Sequence, residues 1–303
     1  MCISKDSKRP LGYVITVAFE IALDVKDLDT LKGLQSYFGV GGIYKHVGNM
    51  MRYKVSSTKD LTNVIIPHFD KYPLLSQKGA DFEILKSAIQ IINKGVVSPE
   101  QLQALVNLRA SLNRGLSSNL QALFPETVPV KRRVIPFVAS SLHPLWVVGF
   151  TEAEGNFYIG VTQDAKSKLG VSTRLRFALT QHSRDEKLLQ GFIDFFGCGL
   201  YAERNNKLAG DFKVNSFEDI SRKIIPGPPS LLSLFPLSLE RERKREGRGE
   251  GIFCKYPLLG SKSLDLKAFI EAAKIISEKG HLTKEGFGEI ERIKAGMNKG
   301  RTH

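Results

Sequence analysis

Two glutamates, two residues apart, close an apolar segment near the middle of this chain: Trp146-Val147-Val148-Gly149-Phe150-Thr151-Glu152-Ala153-Glu154-Gly155. The segment reads as a helix that stops at Gly155, just ahead of an aromatic strand, Phe157–Val161. Gly149 and Ala153 are four residues apart and share one helix face, so a similar helix could pack there with its backbone close. Glu154, at the helix end, would then lie near the matching acid of that second helix. Two carboxylates in such a place can hold a divalent metal ion and activate water against a phosphodiester. Without further context, a helix that ends in solvated glutamates is the plainer alternative.

The context is an internal repeat. Phe38-Gly39-Val40-Gly41 answers Phe196-Gly197-Cys198-Gly199, and Lys71-Tyr72-Pro73-Leu74-Leu75 answers Lys255-Tyr256-Pro257-Leu258-Leu259. Asn113-Arg114-Gly115 answers Asn298-Lys299-Gly300, and Asp6-Ser7-Lys8 falls on Asp164-Ala165-Lys166. The repeat divides the chain into a first half over 1–115, a proline-bearing linker over 116–142 and a second half over 143–303. An unmatched stretch at 227–251, rich in charge and in Leu/Ser, reads as a disordered surface insertion.

Each half shows the same order of elements. In the first, Tyr13–Leu23 is rich in β-branched and aromatic residues and reads as one strand. Leu28, Leu31, Leu34 and Phe38 lie on one helical face, and glycines end that helix at Gly39. Two short strands, Ile43–Val47 and Met51–Ser56, turn at Gly48-Asn49. Helices follow over Ser57–Ile66, Phe82–Lys94 and Pro99–Arg114, the last capped by Ser98. The second half repeats this at 173–182, 185–196, 200–204, 210–215, 217–225, 264–279 and 284–299.

At 303 residues and a net charge of +13, the chain has room for two ordinary domains and a surplus that suits a polyanionic partner, most often nucleic acid. No apolar run is long enough to span a membrane. The three cysteines, Cys2, Cys198 and Cys254, have neither metal-site spacing nor an even count, which points to a reducing compartment and away from structural zinc.

Val147–Gly155 matches the LAGLIDADG signature position for position, and the repeat around it resembles the single-chain, two-repeat LAGLIDADG homing endonucleases of organellar introns. Leu179-Thr180-Gln181-His182, Phe69-Asp70-Lys71-Tyr72-Pro73-Leu74, His281-Leu282-Thr283 and Met297-Asn298-Lys299-Gly300 support the resemblance. It implies an α+β fold of two αββαββα repeats whose antiparallel sheets lie over the DNA major groove. It also implies site-specific, Mg2+-dependent cleavage of double-stranded DNA at an intron-lacking allele, in the mitochondrion, by a chain that is monomeric when the N-terminal segment of its first repeat is present. Glu154 matches the metal-binding catalytic acid, with Ala153 beside it, whereas Glu152 would face away from the metal as a solvated or helix-end carboxylate. Gln181 matches a residue that orders water near the scissile phosphate; Lys78, Lys262 and Lys45 match positions that are basic near the active site. On the sheets, the implied base and phosphate readers are Thr162, Gln163, Arg174, Arg176, Gln181, Arg204 and Lys213 in the second half, and Thr16, Glu20, Lys45, Arg52 and Lys54 in the first.

Phe19 and Phe177 are 158 residues apart, and on that offset the first-half counterpart of Glu154 falls before Met1. The expectation is therefore a first repeat without its motif helix and first strand, with nothing in Met1–Gly12 replacing them. As written, such a chain lacks one acid and is not expected to cut both strands unaided. A reading frame that continues upstream is the favoured explanation; a decayed gene and a homodimer are the others. A maturase that binds its own intron RNA, which does not need both acids, is one alternative function, and a catalytically inert remnant is the other.

Overall fold

In a computed structural model, residues 1–112, 115–205, 208–225 and 252–298 are described. The chain divides into two compact units, Met1–Pro136 and Phe137–His303. The insertion at 227–251, along with Asn113, Arg114, Lys299 and Gly300, lies outside the described residues.

The second unit shows the repeat most fully. Helix α7 (Pro144–Glu154) begins where the His143 ring accepts the Leu145 N–H, with Pro144 in the first turn where no N–H is needed. It runs directly into β6 (Gly155–Gln163), which pairs antiparallel with β7 (Val171–His182) from Gly155↔Leu179 to Gln163↔Val171. Helix α8 (Glu186–Phe196) follows, then β8 (Leu200–Glu203) and β9 (Ala209–Val214), giving one sheet in the order β6-β7-β9-β8, and the short helix α9 (Phe217–Asp219) comes after it. Alternation sets the faces: Phe157, Ile159, Leu175, Phe177, Leu179, Phe212 and Val214 are buried on one side. Against them pack Phe192 and Phe196 of α8, Phe253 of α10 (Ile252–Lys255) and Phe269 of α11 (Lys262–Ser277). The Phe157 and Phe269 ring centroids are 5.4 Å apart, so α11 is fastened directly under β6. Helix α12 (Lys284–Ala295), capped by Thr283, packs on α11 and ends the described fold.

The first unit carries the same plan with shorter strands. Strands β1 (Cys2–Lys5) and β2 (Tyr13–Thr16) form a two-stranded sheet; β3 (Phe19–Asp24), β4 (Gly42–Lys45) and β5 (Met50–Val55) form a second in the order β3-β5-β4. Helix α1 spans Leu28–Phe38, as its apolar spacing predicts, and Gly39 closes it at φ 66°. Two strand expectations need correction. Met1–Gly12 does contain a strand: β1 pairs Cys2↔Thr16 through Lys5↔Tyr13, the register in which Gly160–Gln163 of β6 meets Val171–Arg174. It escapes sequence reading because it is four residues long and mostly polar. The single strand expected over Tyr13–Leu23 is broken at Val17-Ala18. In β7, residues 177–179 pair with β6 and β9 at once, bracing the strand. Here β1 stops pairing at Thr16 and β5 starts at Phe19, so no neighbour spans the gap.

Helices α2 (Thr58–Asp60) and α3 (Ile66–Lys71) are joined by a π-helical turn over Leu61–Ile65, just ahead of Pro67, which has no N–H to give. Helices α4 (Lys78–Ile92) and α5 (Pro99–Ala110), the latter with a full Ser98/Gln101 capping box, close the core around Leu31, Tyr53, Leu61, Ile65, Ile89 and Leu105. The proline-bearing segment after them is ordered against this unit. It holds α6 (Ser118–Leu123), and Ser111 donates to Val130 O, Arg132 to Ser111 O, and Gln77 exchanges two hydrogen bonds with Ile135. No described helix is long and apolar enough to cross a membrane.

Candidate active site and nucleic-acid interface

Three segments of the second unit converge at the end of α7. Ala153 and Glu154 are exposed there. The next residue, Gly155, turns into β6 so tightly that a Cβ would stand 2.5 Å from Thr151 O, so only glycine fits. Lys262, the first residue of α11, reaches across and its Nζ donates to the Gly155 carbonyl. An ammonium is thus held one residue from Glu154. Glu152 does not end in solvent. Its Oε1 accepts the backbone N–H of Leu259 and, at 2.9 Å, that of Gly260, in the loop that leads to Lys262. The signature's first glutamate is therefore the strap that holds the Lys262 loop against the helix end. The spacing Glu152…Glu154 carried a signal for this: on a helix the two side chains point about 200° apart, so one takes the exposed end and the other the packed side.

Gln181 sits on β7 two residues beyond Leu179, the partner of Gly155, and so at the same edge as the α7–β6 junction. Its Oε1 accepts the N–H of His182 at 2.9 Å. Lys78 and Lys45 belong to the first unit. Lys78 opens α4, its Nζ 3.9 Å from Asp81, in the place that Lys262 has at the head of α11. Lys45 ends β4 opposite Met51 and shares the helix-side parity of Ile43.

Among the described residues, no helix packs on one of the two sheet faces in each unit. In the second unit, the open-face register brings together Thr162, Arg174, Arg176, Arg204 and Lys213, flanked by Tyr158, Thr180 and Asp211. Arg176 lies over the Tyr158 ring, 4.7 Å from its centroid. Gln163 and Gln181 fall on the opposite parity, as Lys45 does, so these three are corrected as open-face readers. Their strand ends are exposed or half-buried on both sides, which removes the burial signal that anchors alternation. In the first unit the open face carries Thr16, Glu20, Arg52 and Lys54, with Tyr44 beside Arg52. Glu20 bridges Arg52 at 3.1 Å and Lys54 at 3.3 Å. Tyr158, Tyr44, Thr180 and Asp211 were missed from sequence, although Tyr158 stands between two buried residues in strict alternation.

Each open face carries one acid that holds neighbouring cations, Glu20 in the first unit and Asp211 in the second. Arg204 donates from Nε to both Asp211 oxygens, at 3.0 and 2.9 Å, and its Nη2 lies 2.7 Å from Oδ1. Burial pushes the Asp211 carboxyl up, but hydrogen bonds from Arg204 and Thr180 and the charges of Arg204 and Lys213 outweigh it and hold the group below the ordinary carboxylate range. Asp211 in turn holds Arg204 above its ordinary value.

Among the described residues, no three His, Cys, Asp or Glu side chains cluster as a metal cage. The donor set at the α7 end is one exposed carboxylate with backbone carbonyls. That fits a hard cation which completes its shell with phosphate oxygens and water.

A family model described as LAGLIDADG endonuclease matches residues 1–89 and 147–227. Two curated proteins of Neurospora crassa are similar. Probable intron-encoded endonuclease 3 is 32% identical over 95% of this chain and 50% of its own length. Probable intron-encoded endonuclease 2 is 33% identical over 96% of this chain and 60% of its own. The chain thus spans only half to three-fifths of these relatives. Among solved structures, the LAGLIDADG homing endonuclease I-SmaMI bound to cleaved DNA matches with TM-score 0.86 and 33% identity, over 99% of this chain and 92% of that one. I-LtrWI bound to target DNA matches with TM-score 0.86 and 32% identity, over 99% and 93%.

Proposed function

The chain belongs to the LAGLIDADG endonuclease family, and from that premise we propose that it hydrolyses phosphodiester bonds of double-stranded DNA at the intron-lacking allele of its host gene, in the mitochondrion, with Mg2+. The observation that carries this reading is the α7 terminus: an exposed Glu154 with the Lys262 ammonium held beside it at Gly155. The fungal intron-encoded relatives support the mitochondrial setting, and a structure of I-SmaMI with uncleaved DNA and calcium ions supports the divalent metal.

Arg174, Arg176 and Lys213 neutralise phosphates and set the duplex in register, while open-face side chains meet base edges in the major groove. The Glu154 carboxylate, with the Ala153 carbonyl, would hold the cation against a phosphate oxygen. When bound, the metal supplies a more acidic water and charge neutralisation on the phosphoryl oxygens. Lys262 places positive charge where negative charge grows on the phosphate. Glu152 keeps Lys262 there through Leu259 and Gly260. Lys78 has the corresponding position in the first unit, and Gln181 stands at the edge where water would be ordered.

The test is a plasmid that carries the uninterrupted exon junction, incubated with protein and Mg2+. We expect metal-dependent scission that Glu154→Gln lowers by at least about a hundredfold. Binding to the protein's own intron RNA, unaltered by Glu154→Gln and without DNA scission, would instead favour the maturase reading.

A further inference from the structure

The open face of the second sheet holds an acid where phosphate repulsion argues against one. Asp211 lies at the centre of that face, opposite Thr180 on β7 and Ala202 on β8, with a side chain 18% exposed. Thr180 Oγ1 donates to Asp211 Oδ1 at 2.6 Å and accepts from Arg204 Nη2 at 2.9 Å. Arg204 is therefore gripped through Nε and Nη2 by two residues from two strands, while Nη1 stays outside the grip. Among the described residues, the first unit shows no such device. Its acid, Glu20, divides itself between Arg52 and Lys54, with one contact to each.

An exposed arginine on its own reaches phosphates and bases alike, so it contributes affinity with little discrimination. A planar guanidinium held on one edge has its remaining donors fixed in space, and it loses little further rotamer freedom on binding. The carboxylate also repels any phosphate that approaches Arg204, which leaves a base edge as the favoured acceptor. The Nη1 hydrogens left outside the grip fit one acceptor on the major-groove edge of guanine, O6 or N7.

Resting on the reading of this face as the DNA surface, we propose that Asp211 is a specificity-determining positioning residue. With Thr180, it locks Arg204 so that Arg204 reads one guanine rather than a phosphate. The Asp211–Thr180 pair thereby sets the preference at a single base pair of the target.

The experiment is selection from a randomised duplex library by the whole chain, comparing wild type, Arg204→Ala, Asp211→Ala and Thr180→Val. We expect wild type to enrich a guanine at one position. Arg204→Ala and Asp211→Ala should both lose that preference by about tenfold, with the other positions unchanged. Asp211→Ala, having shed a negative charge, should keep or raise its affinity for unrelated DNA, whereas Arg204→Ala should lower it. Thr180→Val, which keeps the carboxylate and the strand, should relax the same position in part. A wild-type profile retained in Asp211→Ala, or a loss spread evenly over the site, overturns the role of Asp211 while leaving the DNA reading intact. A wild-type chain that enriches no sequence overturns the DNA reading and the role of Asp211 with it.

Discussion

At the scale of residues, the two glutamates of the signature divide the work, and their partners explain how. Glu154 is exposed at the helix end beside a tethered ammonium, whereas Glu152 satisfies the backbone N–H groups of Leu259 and Gly260. Removing Glu152 takes the acceptor from two backbone donors in a solvent-accessible loop, so Glu152→Ala should cost about 1 kcal/mol in chemical denaturation. It should also slow scission more than it weakens DNA binding, because Lys262 loses its support. The Asp211 clamp carries a pH signature of its own. Its folded-state carboxyl sits below the ordinary value near 3.9, so its contribution to stability is whole above about pH 4 and is lost as the pH falls through the depressed value. Asp211→Asn should therefore narrow the difference in stability between pH 5 and pH 2.5. The sequence made Glu154, Ala153 and Lys262 legible through the motif and the repeat. The partner of Glu152 was hidden because it lies more than 100 residues away as backbone N–H, which no side-chain pattern reports.

At the scale of elements, α1 and β5 were readable because apolar spacing and bounding glycines agree, as at Leu28–Phe38 with Gly39. Strand β1 and the break at Val17-Ala18 were not, because both depend on which neighbours pair with β2 and β3 rather than on local preference. Gly149 inside α7 and Gly155 just past its end make opposed predictions. A Cβ on Gly149 meets nothing within 4 Å, so Gly149→Ala should raise helix stability by about 1 kcal/mol, seen as a higher melting temperature. Gly155→Ala drives a Cβ to 2.5 Å from Thr151 O and should lower it sharply, displacing Glu154 as it does so.

At the scale of the whole molecule, the charge of +13 was legible from composition alone, and on the proposed function it should make duplex binding steeply salt-dependent. Arg176→Ala, which removes an open-face cation, should flatten the slope of log affinity against log salt by about one unit. Stability should fall on mild acidification. Burial lowers the affinity of His68 and of His281 for a proton, so below about pH 6.5 the unfolded chain takes up protons that the fold resists. The melting temperature should drop from pH 7 to pH 5, and His68→Phe, which keeps a ring among Tyr37, Phe38, Phe69 and Tyr72, should reduce that drop. The most direct test of the account maps cuts on both strands of an end-labelled exon-junction duplex, with and without Mg2+, for wild type and Glu154→Gln at equal DNA occupancy. The account predicts metal-dependent scission at a defined phosphate in wild type, lost in Glu154→Gln while binding persists. Sequence-specific binding with no scission at any Mg2+ concentration, or cutting that survives Glu154→Gln, would contradict it.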